Sequence, residues 1–280
     1  MNDIFDIDSM TFKSDGMFQS VMKNKDICQM VLELFLGFKL RNLIYPEPEK
    51  TYSGGLLRRS IRVDISVEDE EGNIIDIEMQ SVDKGDLEKR SRYYQGMIDT
   101  SGLKKGSKTY SDLKRCIIIF LCDFNPFDKQ KQVYHFQMRD DGENPYTLQD
   151  GAERIFACTE GKAENTPVAI LSFLSYLKDN KPTNELTKRI DDQVVSLKSD
   201  AEWRKNMWEN HAREWDLLAE GRAEGRAEGK AEAEASFARE QERLAELIGI
   251  LKQEGKTELA LQAVQDLSLR DRLFQEYGIR

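Results

Sequence analysis

The sequence predicts an α/β domain, in which helices flank a mixed β-sheet, followed by a helical C-terminal region. Two observations support this class. Between residues 61 and 122 the chain shows, in turn, an alternating hairpin pattern, a helical pattern and a short continuous apolar run, and from residue 169 onward only helical patterns remain. The order hairpin, helix and buried strand indicates a third strand that lies parallel to a hairpin strand through a right-handed crossover.

Two short helices are predicted before the hairpin. Phe18, Val21 and Met22 recur at helical spacing in the first of them. The apolar positions of the second are Ile27, Val31, Leu34 and Phe35. Asn24 is a favoured N-cap residue and Gly37 is a favoured residue for a helix end, so the second helix is predicted to run between them.

The hairpin is predicted over residues 61–80, IRVDISVEDEEGNIIDIEMQ, which form two alternating runs around an acidic turn with a glycine. A five-residue connection, 69–73, places Glu68 opposite Ile74, and this register determines every later pair. One face of the hairpin is then wholly apolar and can lie on a core. It carries Val63, Ile65, Val67, Ile75, Ile77 and Met79.

The other face of the hairpin collects oxygen-bearing side chains. In the same register its pairs are Ser66 with Asp76, Asp64 with Glu78, and Arg62 with Gln80. Like charges directly opposite each other destabilise a sheet, and in this pairing the Cβ atoms of Asp64 and Glu78 are about 5 Å apart. The two carboxylates could therefore share a hard cation such as Mg²⁺. The alternative is a solvated face that is acidic because the whole chain is acidic.

A helix and three further strands are predicted after the hairpin. The helix covers about the first fifteen residues of 84–103 and places Arg90 and Tyr94 on one face. The run CIIIFLC, residues 116–122, is continuously apolar, which is typical of a buried central strand. The segments QVYHFQM and ERIFACT predict two more strands, because the turn-rich RDDGENP separates them.

Composition predicts a soluble, cytoplasmic protein. The 280 residues are 39% hydrophobic, and no run of about 18 apolar residues is present that could span a membrane. The N-terminus lacks the basic and apolar regions of a signal peptide. The four cysteines lack zinc-type or redox-type spacing, and the two histidines are too few for a His-rich metal site or a His-based nuclease. Reduced interior cysteines fit a cytoplasmic location.

The distribution of charge points to a nucleic-acid surface, although the net charge of the chain is −10. Between residues 84 and 115 the basic residues outnumber the acidic ones. The basic residues are Lys84, Lys89, Arg90, Arg92, Lys104, Lys105, Lys108, Lys114 and Arg115. Because phosphate recognition depends on Lys and Arg, a cation site on the hairpin could lie beside a phosphate-binding surface.

Three parts are predicted along the chain: a domain over 1–180, a long charged helix over 181–237, and a small helical module over 238–280. The charged helix contains the repeat AEGRAEGRAEGKAEAEA, residues 219–235, with acidic and basic side chains on nearly opposite sides. Each glycine costs a helix about 1 kcal/mol against alanine, and like charges four residues apart repel. Two copies could pair the acidic stripe of one with the basic stripe of the other. The repeat is therefore either a self-association arm or a semi-rigid linker.

Five segments, in this order, resemble one protein family. They are FKSDGMFQSVM, RVDISVEDEEGNIIDIEMQ, KRSRYYQGMID, KKGSKTYSDLKRCIIIFLCDFNPF and the EG-rich tail. From about Asp15 to the tail, the chain resembles the bacterial PD-(D/E)xK family of transposases and recombination-promoting nucleases. Each piece alone is weak, but the acid, hairpin and ExQ element combined with the downstream RxxxY and KxGxxYxxL pieces is specific.

The resemblance implies a restriction-endonuclease-like core that hydrolyses DNA phosphodiester bonds with Mg²⁺, or with Mn²⁺ in its place. It implies that Asp64 and Glu78 are catalytic metal ligands and that Gln80 is the third catalytic position. Asp15 corresponds to an auxiliary acid of the first helix. Together with the basic stretch, the resemblance predicts DNA contacts, with packing as the alternative for the RxxxY pair. These positions are Arg62, Lys89, Arg90, Arg92, Tyr94, Lys104, Lys105 and Lys108.

Two positions depart from the family pattern. Val63 stands where the superfamily motif has proline, at a position predicted to face the core. Gln80 stands where the wider superfamily has lysine, and a neutral amide can orient a water but cannot act as a base or carry positive charge. The sequence therefore leaves two functions open. One is a Mg²⁺-dependent DNA endonuclease linked to recombination or mobile elements, and the other is a nuclease-derived module that binds DNA or a partner without cutting.

Overall fold

The structure of the chain is a computed structural model that describes residues 5–45, 50–52, 60–103, 109–127 and 131–279. The predicted DNA contacts Lys104, Lys105 and Lys108 lie outside these residues. The chain divides into two units, Met1–Met207 and Trp208–Arg280. Across the part of the chain that is described, no helix has the length and apolar character needed to cross a membrane.

Strands occupy the first unit, and helices occupy both units. The strands are, in chain order, β1 (Thr51–Tyr52), β2 (Ile61–Arg62), β3 (Ile65–Glu68), β4 (Ile74–Gln80), β5 (Cys116–Cys122), β6 (Val133–Phe136) and β7 (Ala152–Cys158). The α-helices are α1 (Asp15–Met22), α2 (Lys25–Leu36), α3 (Leu87–Gly102), α4 (Val168–Asp179), α5 (Glu185–Ser199), α6 (Ala201–Gln253), α7 (Thr257–Gln265) and α8 (Leu267–Glu276). Within the described residues no strand follows β7, as the sequence predicts.

Capping residues explain where α2 begins and ends. Asn24 is its N-cap, because Asn24 Oδ1 accepts hydrogen bonds from the backbone N–H groups of Asp26 at 3.1 Å and Ile27 at 3.3 Å. Gly37 follows the helix with a φ of 75°, a left-handed conformation that glycine adopts without strain. Both predicted ends of this helix are confirmed.

The predicted hairpin register is confirmed over β3 and β4. Glu68 lies opposite Ile74, and Ile65 lies opposite Ile77. The turn length and the alternation of apolar residues specify the same register, because a slip by one residue would turn the apolar side chains to the wrong face.

The chain bends at Val63 and Asp64, so the hairpin is shorter than predicted. Arg62 lies opposite Thr51 of β1 instead of Gln80, which corrects the predicted pair. The prediction fails here because counting pairs from a turn assumes one continuous strand. Val63 is buried, and it joins the core on the opposite side of the sheet from the apolar residues of β3.

The strands β3 to β7 form one mixed sheet in the order β3-β4-β5-β7-β6. The neighbours β4, β5 and β7 run parallel, whereas β3 and β6 at the two edges run antiparallel to their neighbours. The predicted central strand is β5, and it is buried along its whole length. The mixed sheet with flanking helices confirms the predicted fold class.

Helices cover both faces of the sheet. On one face, α1, α2, α4 and α5 pack over Ile117, Ile119 and Leu121 of β5. On the other face, α3 packs over Ile118 and Phe120. Because side chains alternate in the same way along β4, the polar face of the hairpin lies under α3. It is therefore not the solvated face of the alternative interpretation.

The core of the first unit includes α5. Leu186, Ile190 and Val194 of α5 join the core on the first face of the sheet, and the unit runs to Met207. Residues that the sequence assigned to the charged helix thus contribute to this core. The three-part division stays a prediction, although its first boundary lies inside this unit.

The second unit has a small core of its own, formed by the end of α6 together with α7 and α8. Its buried residues are Leu244, Leu247, Leu251, Ala260, Ala263, Leu273, Phe274 and Ile279. The repeat at residues 219–235 lies in α6, and all its residues are exposed. A Cβ added to Gly221, Gly225 or Gly229 would meet no atom within 4 Å outside the helix's own backbone.

Candidate active site

Two carboxylates meet where the hairpin bends, and each is held by backbone from the other's segment. Asp64 Oδ2 accepts a hydrogen bond from the Met79 N–H at 2.9 Å, and Glu78 Oε1 accepts one from the Asp64 N–H at 2.8 Å. These two bonds join the segment at Asp64 to β4 beyond the last backbone pair of β3 and β4. Glu78 is buried and Asp64 is half-buried. Asp64 and Glu78 are therefore neighbours, as predicted, but through side-chain rather than ladder hydrogen bonds.

Helix α1 brings a further acid and an amide to Asp64. Gln19 Nε2 donates a hydrogen bond to Asp15 Oδ1 at 3.0 Å, and the Gln19 side chain also acts to lower the pKa of Asp64. Gln19 is buried, whereas Asp15 is exposed in the first turn of α1. The predicted auxiliary acid thus lies beside the carboxylate pair, linked to it by Gln19, which the sequence analysis did not single out.

The surroundings of Asp64 oppose its ionisation. Burial is the largest cause that raises the pKa of Asp64 from 3.8 to about 6. The hydrogen bond from the Met79 N–H acts in the opposite direction, the negative charge of Asp15 raises the pKa further, and the positive charge of Arg62 lowers it. Burial and nearby acids outweigh the groups that favour the charged form.

Asp76 is a site residue that the sequence analysis missed. It lies on the same face of β4 as Glu78, it is fully buried, and neither of its carboxylate oxygens has a hydrogen-bond partner among the described residues. Burial, and then the charge of Asp64, raise the pKa of Asp76 well above its ordinary value. The Ile77 N–H and the Lys50 charge act against this, but the Ile77 N–H does not reach hydrogen-bond geometry. Burial, followed by the charge of Asp76, likewise raises the pKa of Glu78.

Gln80 and α3 bring a cation to the cluster. Gln80 Oε1 accepts a hydrogen bond from Arg90 Nη2, and the guanidinium carbon of Arg90 lies 5.9 Å from the centre of the Tyr94 ring. Although burial raises the pKa of Glu78 overall, the charge of Arg90 acts to lower it. Arg90 Nε has no hydrogen-bond partner in the part of the chain that is described. Tyr94 packs on Phe120 at 6.4 Å between ring centres, and burial is the main cause that raises its pKa to about 12.

The other predicted DNA contacts are distributed around this cluster. Arg62 is exposed, and its charge acts on Asp64. Lys89 and Arg92 are exposed on α3, and the helical repeat places them on other faces than Arg90. The structure thus brings Arg62 and Arg90 to the carboxylates and leaves Lys89 and Arg92 on solvent-facing sides of α3.

A lysine that the sequence analysis did not single out lies at the same end of the sheet. Lys13 Nζ is 2.5 Å from Asp123 Oδ2, and the Asp123 N–H donates to the Gln80 carbonyl at 2.9 Å. Ser81 Oγ donates to the Lys13 carbonyl at 3.1 Å. These contacts fix the segment before α1, and with it Asp15, beside the end of β4.

The cluster suits a hard divalent cation. Asp64, Glu78 and Asp76 offer carboxylate oxygens, which Mg²⁺ and Mn²⁺ prefer. Neither oxygen of Asp76 has a hydrogen-bond partner among the described residues, so a bound cation could compensate its charge. Within the described ranges, no three His, Cys, Asp or Glu side chains already converge as a metal-binding group. Mg²⁺ commonly takes one or two protein carboxylates and several waters, so Asp64 and Glu78 would be enough protein ligands for it.

Comparison with known families gives a match to this region. The model of the PD-(D/E)XK nuclease family transposase matches residues 11–157, which is more than half of the 280-residue chain. The matched stretch contains every predicted site residue, and it runs from before α1 into β7. Comparisons with curated proteins and with solved structures give no match.

Proposed function

The chain belongs to the PD-(D/E)XK nuclease family transposases, and from this premise we propose that it is a divalent-metal-dependent DNA endonuclease. The reaction is hydrolysis of phosphodiester bonds, with Mg²⁺ or Mn²⁺ as the cation. The observation that carries the proposal is the pair of hydrogen bonds that hold Asp64 and Glu78 together. The proposed setting is recombination or mobile-element activity in the cytoplasm.

Asp64 and Glu78 are the residues that would hold the cation. A cation held by these two carboxylates would supply Lewis acidity at a phosphoryl oxygen and would lower the pKa of a water. The chain's own contribution is orientation: the N–H groups of Met79 and Asp64 fix both carboxylates without neutralising their charge. Asp15 adds a further negative charge at the exposed side of the pair.

Gln80 and Arg90 would together do what a lysine at position 80 would do alone. The Gln80 amide cannot accept a proton at neutral pH, but with its oxygen bonded to Arg90 its NH₂ group can orient a water or a phosphate oxygen. The guanidinium of Arg90 places positive charge beside Glu78, where it can bind phosphate. Arg90 therefore provides the positive charge that Gln80 lacks.

The proposed DNA path follows the basic side chains around the cluster. Arg62 lies next to Asp64, and α3 exposes two further cations. Each contact with phosphate contributes to affinity and to its dependence on salt. The proposed contacts are Arg62, Lys89, Arg90, Arg92, Tyr94, Lys104, Lys105 and Lys108.

A second candidate function is a nuclease-derived module that binds DNA without cutting it. One observation favours it: the position that could have held a base or a free cation is Gln80, an amide bonded to Arg90. Such a module would retain the phosphate contacts and lose hydrolysis. The cleavage experiment below separates the two functions.

The exposed repeat at residues 219–235 supports a self-association arm as a further part of the proposal. Its glycines leave open space on the helix surface, and its acidic and basic stripes are complementary between two copies. A semi-rigid linker is the alternative. Sedimentation of the full chain and of a chain without 219–235 decides between them, because only loss of an arm reduces the number of chains in the assembly.

The experiment that tests the proposed function is cleavage of supercoiled plasmid in Mg²⁺, in Mn²⁺ and in EDTA. We compare the intact protein with Asp64→Asn, Glu78→Gln and the matched control Glu68→Gln, an exposed acid of the same hairpin. Metal-dependent nicking by the intact protein and the control, reduced at least about 100-fold in both site variants, is expected. Nicking that persists in Asp64→Asn would contradict the proposed site. DNA binding without nicking by the intact protein would support the second function.

A further inference from the structure

Asp76, in the middle of β4, is a carboxylate with no exposed surface. Neither of its oxygens has a hydrogen-bond partner among the described residues. Buried polar groups are ordinarily hydrogen-bonded, and a buried carboxylate without a partner calls for an ion, a strained site or a chemical role. Asp76 therefore needs an explanation that packing alone does not provide.

The neighbours of Asp76 compensate its charge only in part. Ser66 lies opposite Asp76 on β3, and its hydroxyl lies 3.3 Å from the Tyr52 hydroxyl. Lys50 is a cation that acts on Asp76, but its Nζ lies over the Tyr52 ring, 4.9 Å from the ring centre. It makes no hydrogen bond to Asp76. The negative charge of Asp76 is thus left partly uncompensated, and a further positive charge nearby would stabilise it.

The sheet directs Asp76 toward the carboxylate pair. Asp76 and Glu78 are two residues apart on β4, so their side chains leave the same face of the sheet. The charges of Asp64 and Glu78 both interact with that of Asp76. A cation held by Asp64 and Glu78 would therefore be attracted by Asp76 as well, in an interior where water does not screen the attraction.

We propose that Asp76 is a buried carboxylate behind the cation site, whose charge strengthens the binding of a divalent cation by Asp64 and Glu78. The inference rests on the proposed function, because it assumes that these two residues hold the cation. Asp76 acts as a positioning and charge-supplying residue behind the pair. Its chemistry selects a hard divalent ion such as Mg²⁺ or Mn²⁺.

A purely structural role for Asp76 makes a different prediction. If the side chain only filled space between β3 and α3, a neutral residue of similar size would serve equally well and cation affinity would not change. If its charge serves the cation, neutral replacements weaken cation binding while the metal-free protein does not become less stable, because a buried carboxylate without hydrogen-bond partners has been removed.

The test is calorimetric titration of the full chain with Mn²⁺ alone, without DNA. The variants are Asp76→Asn and Asp76→Val, which replace the carboxylate by an amide and by an apolar side chain that suits a strand. Asp64→Asn removes a proposed ligand. Glu153→Gln is the matched control, because Glu153 is also a buried carboxylate on this sheet but has partners of its own. The melting temperature in EDTA is measured for every variant.

We expect both Asp76 variants to bind Mn²⁺ about 10- to 100-fold more weakly than the intact protein, which is the usual effect of residues that support metal ligands. Their melting temperatures in EDTA should not fall, and Glu153→Gln should keep the original affinity. Unchanged affinity in both Asp76 variants would overturn the inference and leave the proposed metal site standing. An intact protein that binds no Mn²⁺, or an Asp64→Asn variant that binds as well as the intact protein, would overturn the metal site itself.

Discussion

Glu153 and Asp76 are both buried carboxylates of the five-stranded sheet, yet their surroundings are opposite. Glu153, on β7, accepts a hydrogen bond from Arg115 Nε at 2.7 Å and lies 2.7 Å from His135 Nε2. Arg115 Nη2 is a further 2.6 Å contact of the same carboxylate. Asp76, on β4, has no hydrogen-bond partner among the described residues.

The comparison separates a structural ion cluster from a candidate site. Arg115 and His135 satisfy Glu153 and tie the start of β5 and the edge strand β6 to β7. At the other cluster, burial and mutual repulsion raise the pKa of Glu78 and of Asp76. Carboxylates perturbed by burial and by like charges are concentrated at functional sites. Two carboxylates that are equally buried in one sheet can therefore have different roles.

The largest expected difference between the two clusters is in catalysis. Glu78→Gln should reduce metal-dependent plasmid nicking by at least about 100-fold, because it removes a proposed ligand and its charge. Glu153→Gln should leave the nicking rate within about threefold, since its effect is on folding rather than on the site. Rates are compared at a temperature at which both variants are folded. Equal losses in the two variants would remove the distinction.

The next expected difference is in stability, which only one of the two variants should lose. Glu153→Gln should lower the free energy of unfolding by about 1 to 3 kcal/mol, because it weakens the pairing of a buried carboxylate whose partners are themselves 40% and 47% exposed. Glu78→Gln should not lower it, since the amide oxygen can still accept the Asp64 N–H. Urea denaturation in EDTA measures both values, and destabilisation of both by the same amount would contradict the comparison.

A smaller effect is expected in the pH dependence of the metal-free protein. The pKa of Asp64 is raised to about 6, mainly by burial, so the folded state holds a proton that the unfolded chain releases near pH 4. The resulting loss of stability begins near pH 4 and is complete above about pH 6, with a size of up to about 3 kcal/mol. Asp64→Asn should therefore gain stability over the intact protein at pH 7, in EDTA, and lose that advantage below pH 4. An advantage that is constant with pH would show that ionisation of Asp64 is not its cause.

The smallest effect compares the cations of the two clusters. Arg90→Gln should reduce the slope of DNA affinity against salt concentration by about one on a double-logarithmic plot, because one phosphate contact is lost. Arg115→Gln should leave the slope unchanged, since Arg115 is engaged by Glu153. Fluorescence anisotropy over a range of salt concentrations provides the slopes. A change of similar size in the Arg115 variant would indicate that both cations contact DNA.

Local patterns were sufficient to predict much of the fold. Turn length and alternation both specify the pairing of Glu68 with Ile74, and a continuous apolar run marks β5 as the central strand. Asn24 and Gly37 bound α2 because capping depends on a few neighbouring residues. Each of these features is determined within a short stretch of chain.

The features that the sequence did not reveal depend on contacts between distant segments. A polar strand face has the same pattern whether water or a helix covers it, so the burial of Asp76 under α3 could not be read from alternation. The bond between Arg90 and Gln80 and the link from Gln19 to Asp64 join separate elements. Counting pairs from the turn also could not predict the bend at Asp64, because that count assumes a continuous strand.

The most direct test of the central claim is the change in melting temperature that Mn²⁺ produces in the intact protein, in Glu78→Gln and in Glu153→Gln. A ligand that binds the folded state raises its stability in proportion to the logarithm of ligand concentration. If the carboxylates at the hairpin bend bind a cation, Mn²⁺ should raise the melting temperatures of the intact protein and of Glu153→Gln by the same few degrees. It should not raise the melting temperature of Glu78→Gln. An equal rise in all three proteins, or no rise in any of them, would contradict the account.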